Sequence, residues 1–359
     1  MKIFISTGEV SGDLHISYIV KSIQNQNNNI KFIGVCGKYC RELGVEVIQD
    51  IKDLAIMGFT GVIKKYRFLK KKAYEYLEII KKENIEKVIL VDYGGFNLKF
   101  LELLKKEVPH AKVYYYIPPK LWIWGKNRIK KLVLADEIMV IFPWEVEFYK
   151  KNNVNVTYYG NPFIEKYKFL NRTDEYILLL PGSREQEIKS LFPVMEGVIK
   201  EKKNEKFLLK LSSEEHKKWL GEKYIGYSNL KVVIEESLEK LVEQSKIAIC
   251  ASGTVTLELA IMGIPAIVIY ITGKINAFIG RHILKLGFIS LPNLTVNHEV
   301  YPELLQEDCK SELILKKMED ILNNKQEKEV MKRNLEEVRG KLKINNEDII
   351  GSYANFILK

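Results

Sequence analysis

Short apolar, β-branched runs alternate along the chain with longer stretches of helical period. Lys2–Ser6, Ile30–Val35, Lys87–Val91 (KVILV), Lys112–Tyr116 (KVYYY) and Glu137–Phe142 read as strands. Near-continuous apolar runs of this length mark strands covered on both faces, as in parallel sheets. Between them, Ser11–Ile23 places Leu14, Tyr18 and Ile23 on one side of a helix, and another helix is expected around Leu98–Lys106. After Asn161-Pro162 the alternation starts again with Tyr176–Leu180, Phe207–Leu211, Val232–Ile234, Ile247–Cys250 and Ala266–Tyr270. The tail from about Glu327 to Lys359 is helical and highly charged. Regularity breaks within 160–174, at Tyr-Gly-Asn-Pro and just beyond it.

Two series of β/α units predict two Rossmann-like parallel-sheet domains facing across a cleft, with ligands beyond the carboxyl ends of the strands. The expected division is 1–165, 166–341 and a C-terminal helix at 342–359 packing back on the first domain. A length of 359 residues suits two domains. No apolar run is long enough to span a bilayer. Glu9 and Asp13 arrive too early for a secretory signal, so a cytoplasmic location is expected. Four cysteines, Cys36, Cys40, Cys250 and Cys309, are no disulfide framework. No second Cys or His pair stands at zinc spacing, and the five histidines show none either, so no metal site is expected.

Charge changes the picture. The net charge is +10, and residues 1–160 hold 26 Lys/Arg against 17 Asp/Glu. A basic first half suits nucleic acid, anionic lipid or a phosphorylated substrate. Its densest part, Lys64-Lys65-Tyr66-Arg67-Phe68-Leu69-Lys70-Lys71-Lys72, has six cations and no anion. Val62, Tyr66, Leu69, Ala73 and Leu77 recur there at helical spacing, giving a basic amphipathic helix. Attachment to an anionic membrane surface, nucleic-acid binding and a plain solvated face all fit that pattern.

Several loops carry candidate chemistry. Thr7-Gly8-Glu9-Val10-Ser11-Gly12-Asp13 turns the first strand into a helix; it is neither GxGxxG nor a P-loop. Asp92 ends the KVILV strand before Tyr93-Gly94-Gly95, where a carboxylate facing a cleft could act as a general base or simply cap a helix, and Asn97 could hold it or a substrate. In the second half, Arg184 of Pro181-Gly182-Ser183-Arg184 stands beyond a strand end, able to clamp phosphate or pair with Glu185 or Glu187. Ala251-Ser252-Gly253-Thr254-Val255-Thr256-Leu257-Glu258 opens a helix with small and hydroxyl residues. Backbone amides and the helix dipole there suit a diphosphate, and Glu258, one turn on, could accept from ribose hydroxyls. Trp122 and Trp124 follow the stiff Pro118-Pro119.

In order, GEVSGD (8–13), LAIMG (54–58), VDYGGFN (91–97), PPKLWIWGKNR (118–128), LLPGSR (179–184), ASGTVTLE (251–258) and SLPNLTVNHEVYPELLQ (290–306) resemble the lipid-A-disaccharide synthase family, inverting glycosyltransferases of the GT-B fold. The resemblance runs from Lys2 to about Gln306. It implies transfer of 2,3-diacylglucosamine from its UDP derivative to 2,3-diacylglucosamine 1-phosphate, forming the β-1,6 disaccharide phosphate and UDP. It further implies Asp92 as the base, Arg184 with Ser183 at the departing UDP, and Ser252, Gly253 and Thr254 at the diphosphate with Glu258 on the ribose. Asn293, Glu303 and Gln306 would line the donor side; Glu9, Ser11, Gly12, Asp13 and Asn97 would line the facing side. The segment Lys64–Lys72 would meet the inner membrane from the cytoplasm. No cofactor is implied, and no Asp-x-Asp pair near these loops suggests a divalent cation. Gly94-Gly95 stand where the family usually has Pro-Asp, and Ile271 where it often has Arg. The alternatives are another GT-B enzyme of UDP-N-acetylglucosamine (a polyprenyl-linked transferase or a 2-epimerase), a non-catalytic sugar-nucleotide or lipid-binding protein, and a nucleic-acid binder. The patterning sets no oligomeric state.

Overall fold

The computed structural model describes residues 1–56, 62–122, 125–221, 226–272, 287–344 and 348–359, with the side chains of 55, 56 and 62–65 outside the description. Trp124 and part of LAIMG therefore lie outside the described residues, as do the side chains of Lys64 and Lys65. The chain forms two units, Met1–Glu165 with Ile344–Lys359, and Lys166–Lys343.

The first unit holds a six-stranded sheet of β1 (Lys2–Ser6), β2 (Lys31–Cys36), β3 (Glu46–Asp50), β4 (Lys87–Val91), β5 (Lys112–Tyr116) and β6 (Glu137–Met139). Its order is β3-β2-β1-β4-β5-β6, and every pairing is parallel. The second unit holds β7 (Tyr176–Leu180), β8 (Lys206–Lys210), β9 (Leu230–Val233), β10 (Ser245–Ala251), β11 (Ala266–Tyr270) and β12 (Glu303–Leu305). Its order, β12-β11-β10-β7-β8-β9, is the same winding repeated, again all parallel. Both are Rossmann-like, with topological switch points between β1 and β4 and between β7 and β10.

The central strands are buried because they are apolar on both faces: Val88–Val91 and Ile247–Cys250 are fully inaccessible. The strands not anticipated from the pattern, β3 (EVIQD) and β12 (ELL), lie at sheet edges. Half-covered edges tolerate polar residues, so they lack the buried-strand signature. Glu137–Phe142 is a strand only to Met139, since Pro143 opens the next helix.

Helix Val62–Lys82 makes the crossover from β3 to β4. Ala73, Tyr76, Leu77 and Ile80 sink into the core, and Phe68 and Leu69 pack half-buried against it. The C-terminal helix Ile349–Leu358 is sewn into the first unit. Tyr353 donates to the carbonyls of Val140 (2.6 Å) and Gly160 (3.0 Å). Lys87 Nζ reaches the helix-end carbonyls of Ile357 (2.7 Å) and Leu358 (2.9 Å), where a cation is favoured. His15 is entombed beside Phe163, ring centroids 4.2 Å apart, and burial pushes its pKa down to about 3.

Candidate active site

At the first switch point, two loops meet. The end of β1 leads through Thr7 and Gly8 into helix Val10–Gln26, and the end of β4 leads through Asp92 and Tyr93 into helix Gly94–Glu107. Asp92 and Tyr93 both have left-handed backbones (φ +43° and +48°), as does Ile117 at the end of β5 (φ +54°). Such conformations cost residues with a Cβ on the order of 1–3 kcal/mol each and persist only where the surroundings enforce them. Here the enforcement is visible. Asp92 N–H donates to Tyr116 and Ile117 carbonyls, both at 3.2 Å, and Tyr115 OH donates to the Asp92 carbonyl at 2.9 Å.

Asn97 completes the clasp. Its amide nitrogen donates to the carbonyls of Ser6 (3.0 Å), Val91 (3.1 Å) and Asp92 (3.0 Å), and its oxygen accepts from Ser6 Oγ at 2.7 Å. The Tyr93 ring lies on Gly8, where an added Cβ would come within 2.3 Å of it. The two loops are thus tied together, and the Asp92 side chain is left half-buried at the strand end.

This corrects part of the expected substrate lining. Asn97 is wholly buried and its amide is spent on protein carbonyls, so it holds the Asp92 turn rather than a substrate. Asp13 is also buried: its oxygens accept from Gly37 N–H (2.8 Å) and Tyr39 N–H (2.9 Å), capping the short helix Lys38–Glu42. Gly12 is buried against Thr7, while Glu9 and Ser11 remain half-buried beside the turn. Asp13, Cys36 and Cys40 bring potential ligand atoms within 4.8 Å of one another, but both carboxylate oxygens already serve those amides.

At the second switch point, β7 runs into Pro181–Arg184 and β10 into Ser252 and Gly253. Gly182 needs its positive φ (+103°), because the Glu187 carboxylate packs over it. Glu187 accepts from the N–H groups of Ser183 (3.1 Å) and Arg184 (3.3 Å), a capping box for helix Glu185–Glu201. The Arg184 side chain is 66% exposed, and its guanidinium Nη1 lies 3.6 Å from a Glu187 carboxylate oxygen. Ser183 is exposed beside it.

Ser252, Gly253 and Thr254 lead into helix Thr254–Met262. Ser252 Oγ donates to the Ile289 carbonyl (3.4 Å), and Thr256 Oγ1 back-bonds to the Gly253 carbonyl (2.8 Å). The side chains at the helix start are short, so an anion can approach the amides and the positive dipole end. Glu258 is buried one turn on, accepting from Tyr167 OH at 2.6 Å. Burial raises its pKa to about 7, against the Tyr167 hydrogen bond, which lowers it.

The late motif is mostly architecture. Asn293 is fully buried; its oxygen accepts from Val300 and Tyr301 N–H, and its nitrogen donates to the Tyr301 carbonyl and to Glu303. Glu303 also accepts from the N–H groups of Ile289 and Ser290 and from Ser290 Oγ. Gln306, with its amide suitably turned, brackets Thr272: its oxygen accepts from the N–H at 3.1 Å and its nitrogen donates to the carbonyl at 3.2 Å. Asn293 was expected to touch the donor and instead is locked inside the loop next to Ser252. Tyr115 and Tyr167 carry no signal in the sequence, because their roles come from long-range contacts; Glu187, expected as a partner of Arg184, also caps the helix. The only local signal was Glu187 at the third position after Arg184, a capping-box spacing.

Comparisons with known proteins identify the family and the fold. The profile of the lipid-A-disaccharide synthetase family matches residues 3–351. The chain is 32% identical to the lipid-A-disaccharide synthase of Persephonella marina, the alignment covering 94% of both chains. It is 31% identical to that of Geobacter metallireducens, covering 95% of this chain and 93% of the other. The fold is shared with UDP-GlcNAc 2-epimerase from Neisseria meningitidis bound to UDP-GlcNAc, at a TM-score of 0.64 and 13% identity over 100% of this chain and 98% of that one. It is shared too with MurG of Acinetobacter baumannii, at 0.57 and 13% over 99% of each. With the site motifs in family order on two Rossmann-like domains, the chain belongs to the lipid-A-disaccharide synthase family of glycosyltransferases.

Proposed function

We propose that this chain moves 2,3-diacylglucosamine from its UDP derivative to the 6-hydroxyl of 2,3-diacylglucosamine 1-phosphate in a single inverting displacement. The observation that carries the reading is Asp92, a carboxylate at the β4 end held in a strained turn by Asn97 and Tyr115, within a chain of this family. The acceptor O6 attacks the anomeric carbon as Asp92 takes its proton. The bond from that carbon to the UDP oxygen breaks, and its electron pair leaves with UDP. Asp92 supplies general-base catalysis, and the developing charge on UDP is met by the amides at Ser252–Thr254 and by Arg184. Glu258 accepts from the ribose, while Glu9 and Ser11 lie on the acceptor side. This charge compensation comes from protein groups, so activity should survive EDTA.

An anionic inner-membrane surface is the proposed partner of the first unit's crossover face, on the cytoplasmic side. Arg67, Lys70 and Lys71 are exposed on helix Val62–Lys82, and Tyr66 is 51% exposed, with Lys99 4.4 Å over its ring. Phe68 and Leu69, expected on the membrane side, face the core instead, and Lys72 pairs with Glu75 at 2.9 Å. A further basic stretch on the same unit, Lys126–Leu134, exposes Val133 and Leu134 beside Lys126 and Lys130. Cations near such a surface contribute about 1 kcal/mol each, screened by salt. No helix among the described residues is long and apolar enough to cross a membrane. Charge reversal at Lys70, Lys71 and Lys72 to Glu should release the protein from vesicles containing anionic lipid. Sedimentation with the vesicles unchanged would refute the assignment, and equal binding to duplex DNA would favour a nucleic-acid partner.

The reaction is tested by supplying both lipids in detergent and measuring disaccharide and UDP together. UDP without disaccharide would point to hydrolysis. Turnover of UDP-N-acetylglucosamine alone would point to the epimerase-like alternative.

A further inference from the structure

The first unit holds a buried carboxylate that the mechanism does not use. Glu145 stands in the first turn of helix Pro143–Lys150 and is 2% exposed. Among the described residues its Oε2 makes no hydrogen bond of normal geometry, although the Trp122 indole faces it. Among the described residues, Trp122 Nε1, Trp144 Nε1, Tyr149 OH and Tyr158 OH of the same region are likewise buried without a hydrogen bond of normal geometry. Trp122 and Trp144 meet edge to face, centroids 6.1 Å apart, and Trp144 stacks on Phe142 at 4.3 Å. Native interiors rarely strand so many polar groups in one place, and such a cluster calls for a functional account.

The cluster reaches the catalytic turn by two routes. Trp122 belongs to the loop following β5, in which Pro119 packs against Gly94, so close that a Cβ at Gly94 would lie 2.4 Å from it. Tyr149, on the same helix as Glu145, packs in one buried cluster with Tyr115, whose OH donates to the Asp92 carbonyl at 2.9 Å. Both routes end on the backbone that sets the direction of the Asp92 side chain.

We propose that Glu145 is a positioning residue for Asp92, holding the Pro118–Trp122 loop and the Tyr149–Tyr115 pair in the arrangement that aims the base. The proposal rests on the assignment of Asp92 as that base. Burial pushes the Glu145 pKa up to about 8, opposed by the backbone at Ile141 and Phe142, the Trp122 indole facing it and Lys120. The other titratable groups facing it are Tyr149 on its own helix, Tyr158 after β6 and Tyr353 of the C-terminal helix; Arg128 acts one step away, on Tyr115. Near neutral pH the group is therefore mostly a neutral acid, which a ring of indoles and phenols can house without a buried charge. Losing the proton puts an anion into that ring, and the ring must reorganise to solvate it.

The test uses the full chain in the disaccharide assay from pH 6 to 9.5, with tryptophan fluorescence recorded alongside. The wild type should lose kcat about 10-fold across an alkaline limb near pH 8, with KM for either lipid changed less than 3-fold and the fluorescence titrating in step. Glu145→Gln, which cannot ionise, should lack both the limb and the fluorescence titration. Glu145→Ala should lower kcat about 10-fold at neutral pH with little change in KM. A Gln variant that keeps the wild-type limb and titration, or an Ala variant with undiminished kcat, overturns the proposal. If the Ala variant does not fold, the Gln comparison decides alone. Undiminished turnover by Asp92→Asn would remove the base itself, whereas the fluorescence titration tests Glu145 independently of that assignment.

Discussion

At the end of β4 the chain turns through two successive left-handed residues that both carry side chains, Asp92 and Tyr93; at the end of β10 it turns through Ser252 and Gly253 into a helix. The strand order around the two turns is the same. The first is strained and braced by Asn97, Tyr115 and the Tyr93–Gly8 contact, and it presents one acid. The second presents short side chains and backbone amides, with Arg184 exposed at the end of the neighbouring β7. One scaffold thus serves two purposes. Aiming a proton acceptor needs a side chain fixed by enforced backbone geometry, whereas holding a diphosphate needs backbone amides left approachable.

The contrast can be broken at its extremes. Asp92→Asn should lower kcat about 10³-fold while UDP binding by calorimetry stays within 2-fold; loss of UDP affinity in step with kcat would place Asp92 on the nucleotide instead. Arg184→Ala should cost about 10²-fold in kcat/KM with the fold intact, because the guanidinium is largely exposed, with Glu187 3.6 Å away. Equal rates for the variant and the wild type would leave charge compensation to the amides alone.

The two buried asparagines sharpen the comparison. Asn97→Ala removes a donor from three carbonyls in the first unit, and Asn293→Ala removes the acceptor of two backbone amides and one donor to Glu303 in the second. Each should lose about 2–3 kcal/mol in denaturant unfolding. Where folded, the first should depress kcat and the second UDP affinity. The same functional defect in both would mean that the clasps are merely structural.

Two further effects concern pH and carry opposite signs. His15 is neutral when buried, so the folded chain resists the proton that the unfolded chain takes up. Its contribution to stability is present above pH 6.5 and is lost as pH falls toward about 3. Glu258 holds its proton more tightly when folded. Its contribution is present below pH 4.5 and is lost as pH rises through about 7. In Tm profiles, Glu258→Gln should flatten the decline between pH 4.5 and 7, and His15→Phe the decline below 6.5. A Glu258→Gln profile that parallels the wild type would show that the carboxylate is solvated.

Much of this organisation was legible in the chain. KVILV followed by Asp92, and the small residues after Ile247–Cys250, marked strand ends that the structure puts at the switch points. Buried central strands announce themselves because no face needs polar residues, whereas the edge strands Glu46–Asp50 and Glu303–Leu305 do not. The polar site residues were harder to sort. Asp13 and Asn293 look like ligand contacts in sequence, yet their hydrogen bonds go to protein groups brought near by the fold; Asn97, open in sequence to either role, holds the Asp92 turn and reaches Ser6, 91 residues away. Spacing along a chain identifies a polar group at a turn, but which partner satisfies it is decided by tertiary packing. Tyr115 and Tyr167 were missed for the same reason, since each meets a partner far along the chain.

The central claim is that this chain joins two lipid sugars with Asp92 as the base. Its most direct test is product analysis by mass spectrometry with UDP quantified, giving wild type and Asp92→Asn the UDP-2,3-diacylglucosamine donor and the 2,3-diacylglucosamine 1-phosphate acceptor in EDTA. The wild type should give a tetraacyl disaccharide phosphate with equimolar UDP, and the variant, still binding UDP, almost none. Folded, UDP-binding wild type that yields no disaccharide, or a variant that yields as much as the wild type, would contradict it.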